Sequence, residues 1–359
     1  MEEGGLFVTL YDKETLELYL DEGVYGQHMT PQEGQPSSQS AHYKTLADYA
    51  TAREGKHVFF FLDREIYYGG QIIGSDEHGV FYLNGQKSPL GREADAPLVW
   101  DESERDVYGR TDEPGVFDAG GERGEKCQPF LIQFEDTRDM AGRYIISDQL
   151  YFELGEYPYP LPSNSIAGMG FCTLTPAETD VLLRLLEEDP EDEIDPDSDE
   201  PVQLTGEPVP FSPDLGVESA EEAHPEAHLE ASLIANPKLL PDQMRPNGAT
   251  ICRQVSISPF KPANMDQADI CYFTDEKIQD GTIPNTIIEL KIRKAGKGAA
   301  LQVKRYLQWL YDRLGDEAGT IDIFVYAPGY TSTFDDYIPD KFRGQIRKRT
   351  LTDTNQTTF

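Results

Sequence analysis

Residues 285–294 read NTIIELKIRK. A short run of threonine and isoleucine leads into Glu289, Leu290 and Lys291, and its β-branched, apolar character predicts a strand. Side chains on a strand alternate between its faces with a period of two. Glu289 and Lys291 then share one face, and Ile288 and Leu290 share the other. A glutamate and a lysine together at the end of an apolar strand are either a solvated edge pair, worth little energetically, or half of a chemical site. The neighbouring elements bear on which.

Upstream, EAHLEASLIANP (226–237) predicts a helix with Leu229, Leu233 and Ile234 on one face. Two strands follow, ICRQVSI (251–257) and ADICYFT (268–274), and PNTIIELKI (284–292) is the third. Downstream, GAALQVKRYLQWLYDRL (298–314) predicts a long amphipathic helix, and TIDIFVYA (320–327) a fourth strand. The order is αβββαβ. Asp269 lies in the second strand, Glu289 and Lys291 on the third, and Glu226 on the first helix. An aspartate and a glutamate on neighbouring strands hold a divalent cation through oxygen; magnesium suits such a pair because it keeps waters beside one or two carboxylates. Such an ion polarises a phosphate and generates hydroxide near neutral pH. Lys291 would orient the attacking water or stabilise charge on the phosphorane. Singly, each residue also has a plain structural role as an edge ion pair, a strand end or a solvent face.

Asp269 followed by ELK at 289–291, on this order of elements, resembles the PD-(D/E)xK nuclease superfamily. The proline of its first motif is missing, since QADI stands at 267–270. The resemblance is closest to the RecB-like branch and to the NucS (EndoMS) endonucleases. Residues 226–240 resemble the helix that opens that nuclease domain, with Glu226 at the position of its glutamate. LQVKRYLQWL (301–310) is similar to the QxxxY helix of RecB-like nucleases, with Gln302 and Tyr306 one turn apart. The resemblance covers about residues 226–327. It implies an α/β restriction-endonuclease-like domain and a catalytic set of Asp269, Glu289, Lys291, Glu226, Gln302 and Tyr306. It further implies Mg2+ or Mn2+ held by Asp269 and Glu289. The expected activity is that of a magnesium-dependent endodeoxyribonuclease serving restriction or phage defence, or NucS-like repair of mismatched or branched DNA. Cutting both strands of a duplex predicts a homodimer. The reading from another class is a nucleic-acid-binding protein on a nuclease fold that does not cleave.

Basic residues gather nearby. Arg293, Lys294 and Lys297, with Lys304 and Arg305, form one patch suited to phosphate contacts, and KFRGQIRKR (341–349) forms another. Both also have the plain reading of balancing acidic neighbours.

The first 186 residues read as a β-rich α+β domain. HVFFFL (57–62) and EIYYGGQII (65–73) predict strands around the turn Asp63-Arg64, with further strands at 79–86 and 128–134 and helices at 43–54 and 175–188. For the last, Thr175 suits the N-cap, Pro176 the first position and Glu178 a capping box. A helix followed by GKHVFFF resembles PUA-like barrels of the EVE and YTH kind, which cage a base between aromatic rings. That resemblance implies Tyr25, Tyr67, Tyr68 and Trp100 as base-recognition walls; phenylalanines 59, 61 and 81 read as packing. This domain would select the DNA.

Residues 187–222, rich in Asp, Glu and Pro, predict a flexible acidic linker. A second reading has it mimic nucleic acid and occupy a basic groove in cis. The nuclease domain then spans 223–359.

The chain of 359 residues carries a net charge of −34. A field of that sign repels nucleic acid and acidic membranes unless local basic patches override it. A halophilic source and locally concentrated acidic tracts both account for it. The four cysteines have no CxxC spacing, which argues against structural zinc and for isolated thiols in a reducing compartment. No signal peptide is recognisable, and no apolar run approaches the ~18 residues of a membrane span. The expectation is a cytoplasmic protein without a membrane partner.

Overall fold

The computed structural model describes residues 4–10, 12–27, 36–74, 79–83, 116–118, 125–127, 130–154, 171–194, 208, 219–257, 266–274 and 283–352. They build a mixed α/β architecture with two main sheets. The first half runs β1 (Gly5–Thr9), α1 (Lys13–Glu22), β2 (Val24–Tyr25), α2 (Pro36–Tyr49), β3 (His57–Leu62), β4 (Glu65–Ile72) and β5 (Phe81–Leu83). A small ribbon of β6 (Val116–Asp118) and β7 (Glu125–Cys127) follows, then β8 (Phe130–Glu135), β9 (Arg143–Ile146), α3 (Ser147–Leu154), β10 (Phe171–Leu174), α4 (Pro176–Glu188) and β11 (Asp192–Glu193). The main path of this nine-stranded sheet is β10-β1-β3-β4-β8-β2, with β5 beside β8 and β9 joining β4 to β11.

Local chemistry explains the sharpest boundaries. Asp63 and Arg64 have φ of 50° and 74°. Two successive left-handed residues fit a type I′ turn, whose twist matches the strands it joins. At α4, Thr175 caps the Glu178 N–H and the Glu178 carboxylate accepts the Thr175 N–H, closing the predicted capping box. The helix expected at 43–54 instead spans Pro36–Tyr49. Its end is set by Thr51, whose N–H and hydroxyl both turn back to the Asp48 carbonyl.

The second half runs α5 (Glu226–Ala235), β12 (Thr250–Ser256), β13 (Gln267–Phe273), β14 (Thr286–Leu290), α6 (Lys297–Leu314), β15 (Asp322–Ala327), α7 (Asp340–Arg343) and β16 (Ile346–Thr350). The αβββαβ order is present, with β16 as an added edge strand. The five strands lie in sequence order. β12, β13 and β14 form an antiparallel meander, and β15 and β16 each continue in parallel. Parallel neighbours need a crossover, which α6 supplies between β14 and β15. Ile287 packs in one core with Val303, Leu307 and Leu310 of α6. Ile288 and Leu290 pack in the other, with Leu229 and Leu233 of α5. The period of two thus aims Glu289 towards α6.

The second core does not stop at α5. It also contains Leu6, Tyr19, Leu46 and Phe60, so buried side chains from both halves form one cluster. Helix α2 packs on α5, where the rings of Tyr43 and His228 stack with centroids 4.1 Å apart. Lys56, almost fully buried, donates to the Ile251 carbonyl at 3.2 Å.

Of the expected linker, residues 187–194, 208 and 219–222 are described, and the rest lies outside the described residues. Glu187 and Glu188 close α4, and Asp192 and Glu193 pair with Tyr144 and Arg143 of β9. Among the described residues, no helix is long and apolar enough to cross a membrane.

Candidate active site

The site forms where two strands part. β13 and β14 pair through Cys271 with Ile287 and Ile270 with Ile288. One step further along that register, Asp269 stands across from Glu289, and the backbone pairing ends. The Asp269 side chain takes its place: Oδ2 accepts the Leu290 N–H at 2.7 Å.

Lys291 follows the strand and folds back. Its Nζ donates to Glu289 Oε1 at 2.7 Å, to the Leu290 carbonyl at 2.6 Å, and at 3.5 Å to Glu226 Oε1 on α5. The shared face of Glu289 and Lys291 is therefore a direct ion pair, with Glu289 buried and Lys291 part-exposed. From the other side, the Tyr306 hydroxyl of α6 lies 2.9 Å from Glu289 Oε2 and 2.6 Å from the Gln267 carbonyl. Gln302, one turn earlier, donates to that hydroxyl at 2.8 Å. Side-chain hydrogen bonds join five of the six residues expected of the catalytic set, Glu226, Lys291, Glu289, Tyr306 and Gln302, and Asp269 meets them through the Leu290 N–H.

The electrostatics are those of crowded acids. Burial, then the charges of Glu289 and Glu230, hold the Asp269 carboxyl well above the usual aspartate value, against Lys291 and the Leu290 N–H. Burial also raises Glu289, while Lys291 and the Tyr306 hydroxyl pull it down. Burial works to lower the Lys291 ammonium, but Glu289, Asp269 and Glu226 together hold it above the usual lysine value. Two carboxylates held close at this cost gain from a divalent cation. Among the described residues, no group of three or more His, Cys, Asp or Glu is arranged to hold a metal. The donor set fits an ion of the magnesium type that keeps most of its ligands as water, not a protein-only cage.

The expected DNA-contact residues separate into two groups. Arg293, Lys294 and Lys297 are exposed, and Lys304 is part-exposed. Arg305 is engaged: both ends of its guanidinium donate to the Asp266 carboxylate. In the second basic stretch, Arg343 pairs with Asp340, Arg347 with Asp322 and Lys348 with Asp335, so much of its charge is balanced locally.

Three of the four expected base-recognition walls, Tyr25, Tyr67 and Tyr68, are core residues. Tyr25, Tyr67 and Tyr68 are each at most 4% exposed. Tyr25 packs against Tyr19 and Phe60, and the Tyr68 hydroxyl lies 3.0 Å from His57 Nδ1. Ring faces used to pack a sheet cannot also stack on a base. Trp100 lies outside the described residues. Among the described residues a PUA-like barrel is not seen; their strands form a path with branches.

Sequence reasoning missed Glu230, Arg253, Gln254 and Asp48. Arg253 donates from Nε and Nη2 to the two oxygens of Glu230, at 3.0 and 2.9 Å, and from Nη1 to Asp48 Oδ1. Gln254 Nε2 bridges Glu230 Oε1 at 3.0 Å and Asp269 Oδ1 at 3.2 Å. Two signals were present: Glu230 follows Glu226 by one helical turn, and Arg253 interrupts an apolar strand. Cys172, Cys252 and Cys271 are buried free thiols, as expected for isolated cysteines.

No family model matches the chain. No curated protein sequence matches it either. Among solved structures, the crystal structure of a repair endonuclease from Pyrococcus abyssi is similar at 22% identity with a TM-score of 0.24. The match covers 35% of this chain and 46% of that one, less than half its length. A likeness of that extent carries no argument, and the site rests on its own geometry.

Proposed function

We propose that this protein is a metal-dependent endonuclease that hydrolyses DNA phosphodiester bonds. One observation carries the reading: Asp269 and Glu289 oppose each other where β13 and β14 part, with Lys291 on Glu289. Asp269 and Glu289 would hold Mg2+ or Mn2+. That ion, when bound, supplies Lewis acidity towards a phosphate oxygen and lowers the pKa of water.

The chain's own residues do the rest. The Leu290 N–H and Gln254 fix the two oxygens of Asp269. Tyr306, held by Gln302, fixes Glu289 Oε2. Lys291 is charged, part-exposed and adjacent to both acids, so it can donate to an attacking water or to charge growing on the phosphorane. Exposed Arg293, Lys294 and Lys297 supply phosphate contacts without sequence information. The first half of the chain, packed on α5, is the element that selects the DNA, and a homodimer provides one site per strand. The biological setting in this reading is restriction or phage defence, or NucS-like repair.

The test is cleavage in Mg2+ or Mn2+ of duplex, mismatched, branched, single-stranded and modified DNA at low and high salt. Wild type should cut at least one substrate, and Lys291→Ala should lose roughly 100-fold or more of kcat. A wild type that cuts none of them ends the enzyme reading. A lysine variant that cuts as well as wild type ends the site assignment.

A further inference from the structure

Asp269 is the last member of a hydrogen-bonded chain that starts in the other half of the molecule. Asp48 on α2 accepts from Arg253, Arg253 grips Glu230 with two parallel bonds, and Gln254 ties Glu230 to Asp269. The Asp48, Arg253 and Glu230 side chains are no more than 5% exposed.

Three features set this apart from incidental packing. First, Arg253 and Gln254 are consecutive on β12, and successive strand residues point to opposite faces; yet both reach Glu230. The break in alternation is local, because Gln254 has φ 51°, a conformation that residues with a Cβ seldom adopt and that clusters at functional sites. Second, the Arg253 backbone is gripped from β10. Its N–H donates to Thr173 Oγ1 at 2.9 Å, and that hydroxyl donates to the Arg253 carbonyl at 3.1 Å. Third, a buried charge network is not stabilising by default, since well-packed apolar side chains serve as well or better. Here it leads to the one carboxylate that opposes Glu289.

We infer that Asp48, Arg253, Glu230 and Gln254 form a positioning relay by which helix α2 fixes the Asp269 carboxylate in the candidate active site. The relay rests on the nuclease reading for its purpose. With Gln254 on Oδ1 and Leu290 N–H on Oδ2, the carboxylate has one orientation, and that orientation depends on how α2 seats against α5. The half of the chain that carries no candidate catalytic residue thereby becomes part of the site.

The experiment uses the full chain with Gln254→Leu, which keeps bulk and removes both donors, and Asp48→Asn, which keeps an acceptor for Arg253 and removes the charge. Mn2+ affinity is measured by calorimetry, and kcat and KM on whichever DNA the wild type cuts. Gln254→Leu should lower kcat and weaken Mn2+ binding, each by about 10-fold, with KM within about twofold. Asp48→Asn should move both in the same direction by about threefold. If Gln254→Leu keeps wild-type kcat and Mn2+ affinity, or changes melting temperature alone, the relay is wrong. If only Asp48→Asn is silent, the claim for α2 is wrong. Should Gln254→Leu fail to fold, Asp48→Asn decides. A wild type that cuts nothing removes the nuclease reading, and Mn2+ affinities of the variants then judge the relay alone.

Discussion

The Tyr306 hydroxyl lies 2.9 Å from Glu289 Oε2 and accepts from Gln302 at 2.8 Å. A helix and a strand therefore meet at one carboxylate oxygen, and the phenol helps keep Glu289 ionised against burial. Tyr306→Phe should raise the Glu289 pKa further. Glu289 must be ionised to serve a cation, and the ionised fraction falls as pH falls. The acidic limb of the pH–rate profile should consequently move to higher pH, with a loss of roughly 10-fold in kcat at neutral pH. A profile superimposable on wild type would remove Tyr306 from the site.

Arg305 and Lys294 both belong to the basic patch expected from the sequence but should differ in binding. Arg305 is held by Asp266, while Lys294 is exposed. Lys294→Ala should reduce the slope of log K for DNA against log salt by about 1, and Arg305→Ala should leave it unchanged. Equal slopes for the two variants would mean that the Asp266 pair opens to meet phosphate.

Glu178 closes the capping box of α4, and burial pushes its pKa from 4.5 up to about 7. Its folded-state pKa is raised, so its contribution to stability is complete below about pH 4.5 and lost as pH rises through about 7. Glu178→Gln keeps an acceptor for the Thr175 N–H and cannot ionise. It should match wild type near pH 4.5 and exceed it at pH 8 by about 1–3 kcal/mol in denaturant unfolding. An offset that does not change with pH would contradict this.

The β3–β4 turn holds Asp63 and Arg64 at positive φ. Asn-Gly at these positions should stabilise the protein by about 1 kcal/mol in urea unfolding, because both residues tolerate the left-handed region. The Arg64–Asp148 pair lost in the change is exposed and contributes little. A destabilised variant would show that the pair matters more than the turn.

Much of this fold is legible wherever neighbours in sequence decide the outcome. Thr175, Pro176 and Glu178 specify the start of α4 within four residues. The apolar run before Glu289 specifies β14, and the i, i+4 spacing of Gln302 and Tyr306 places them on one face of α6. The tyrosines of the first half were misread for the opposite reason. An aromatic residue in a strand fits a core and a binding wall equally well in sequence, and only burial separates the two. The pairing of Arg305 with Asp266 was not legible because the two lie 39 positions apart.

By itself, then, the sequence determined the αβββαβ order and put Glu289 and Lys291 within reach of each other, because strand and helix periods are local properties of the backbone. Tertiary structure alone decided that Asp269 opposes Glu289, since that depends on the register of β13 against β14. It alone decided that Asp48, 205 positions from Arg253, joins the same network. Contacts of that separation arise when buried faces pack together, and no local pattern in either segment records which partner it will meet.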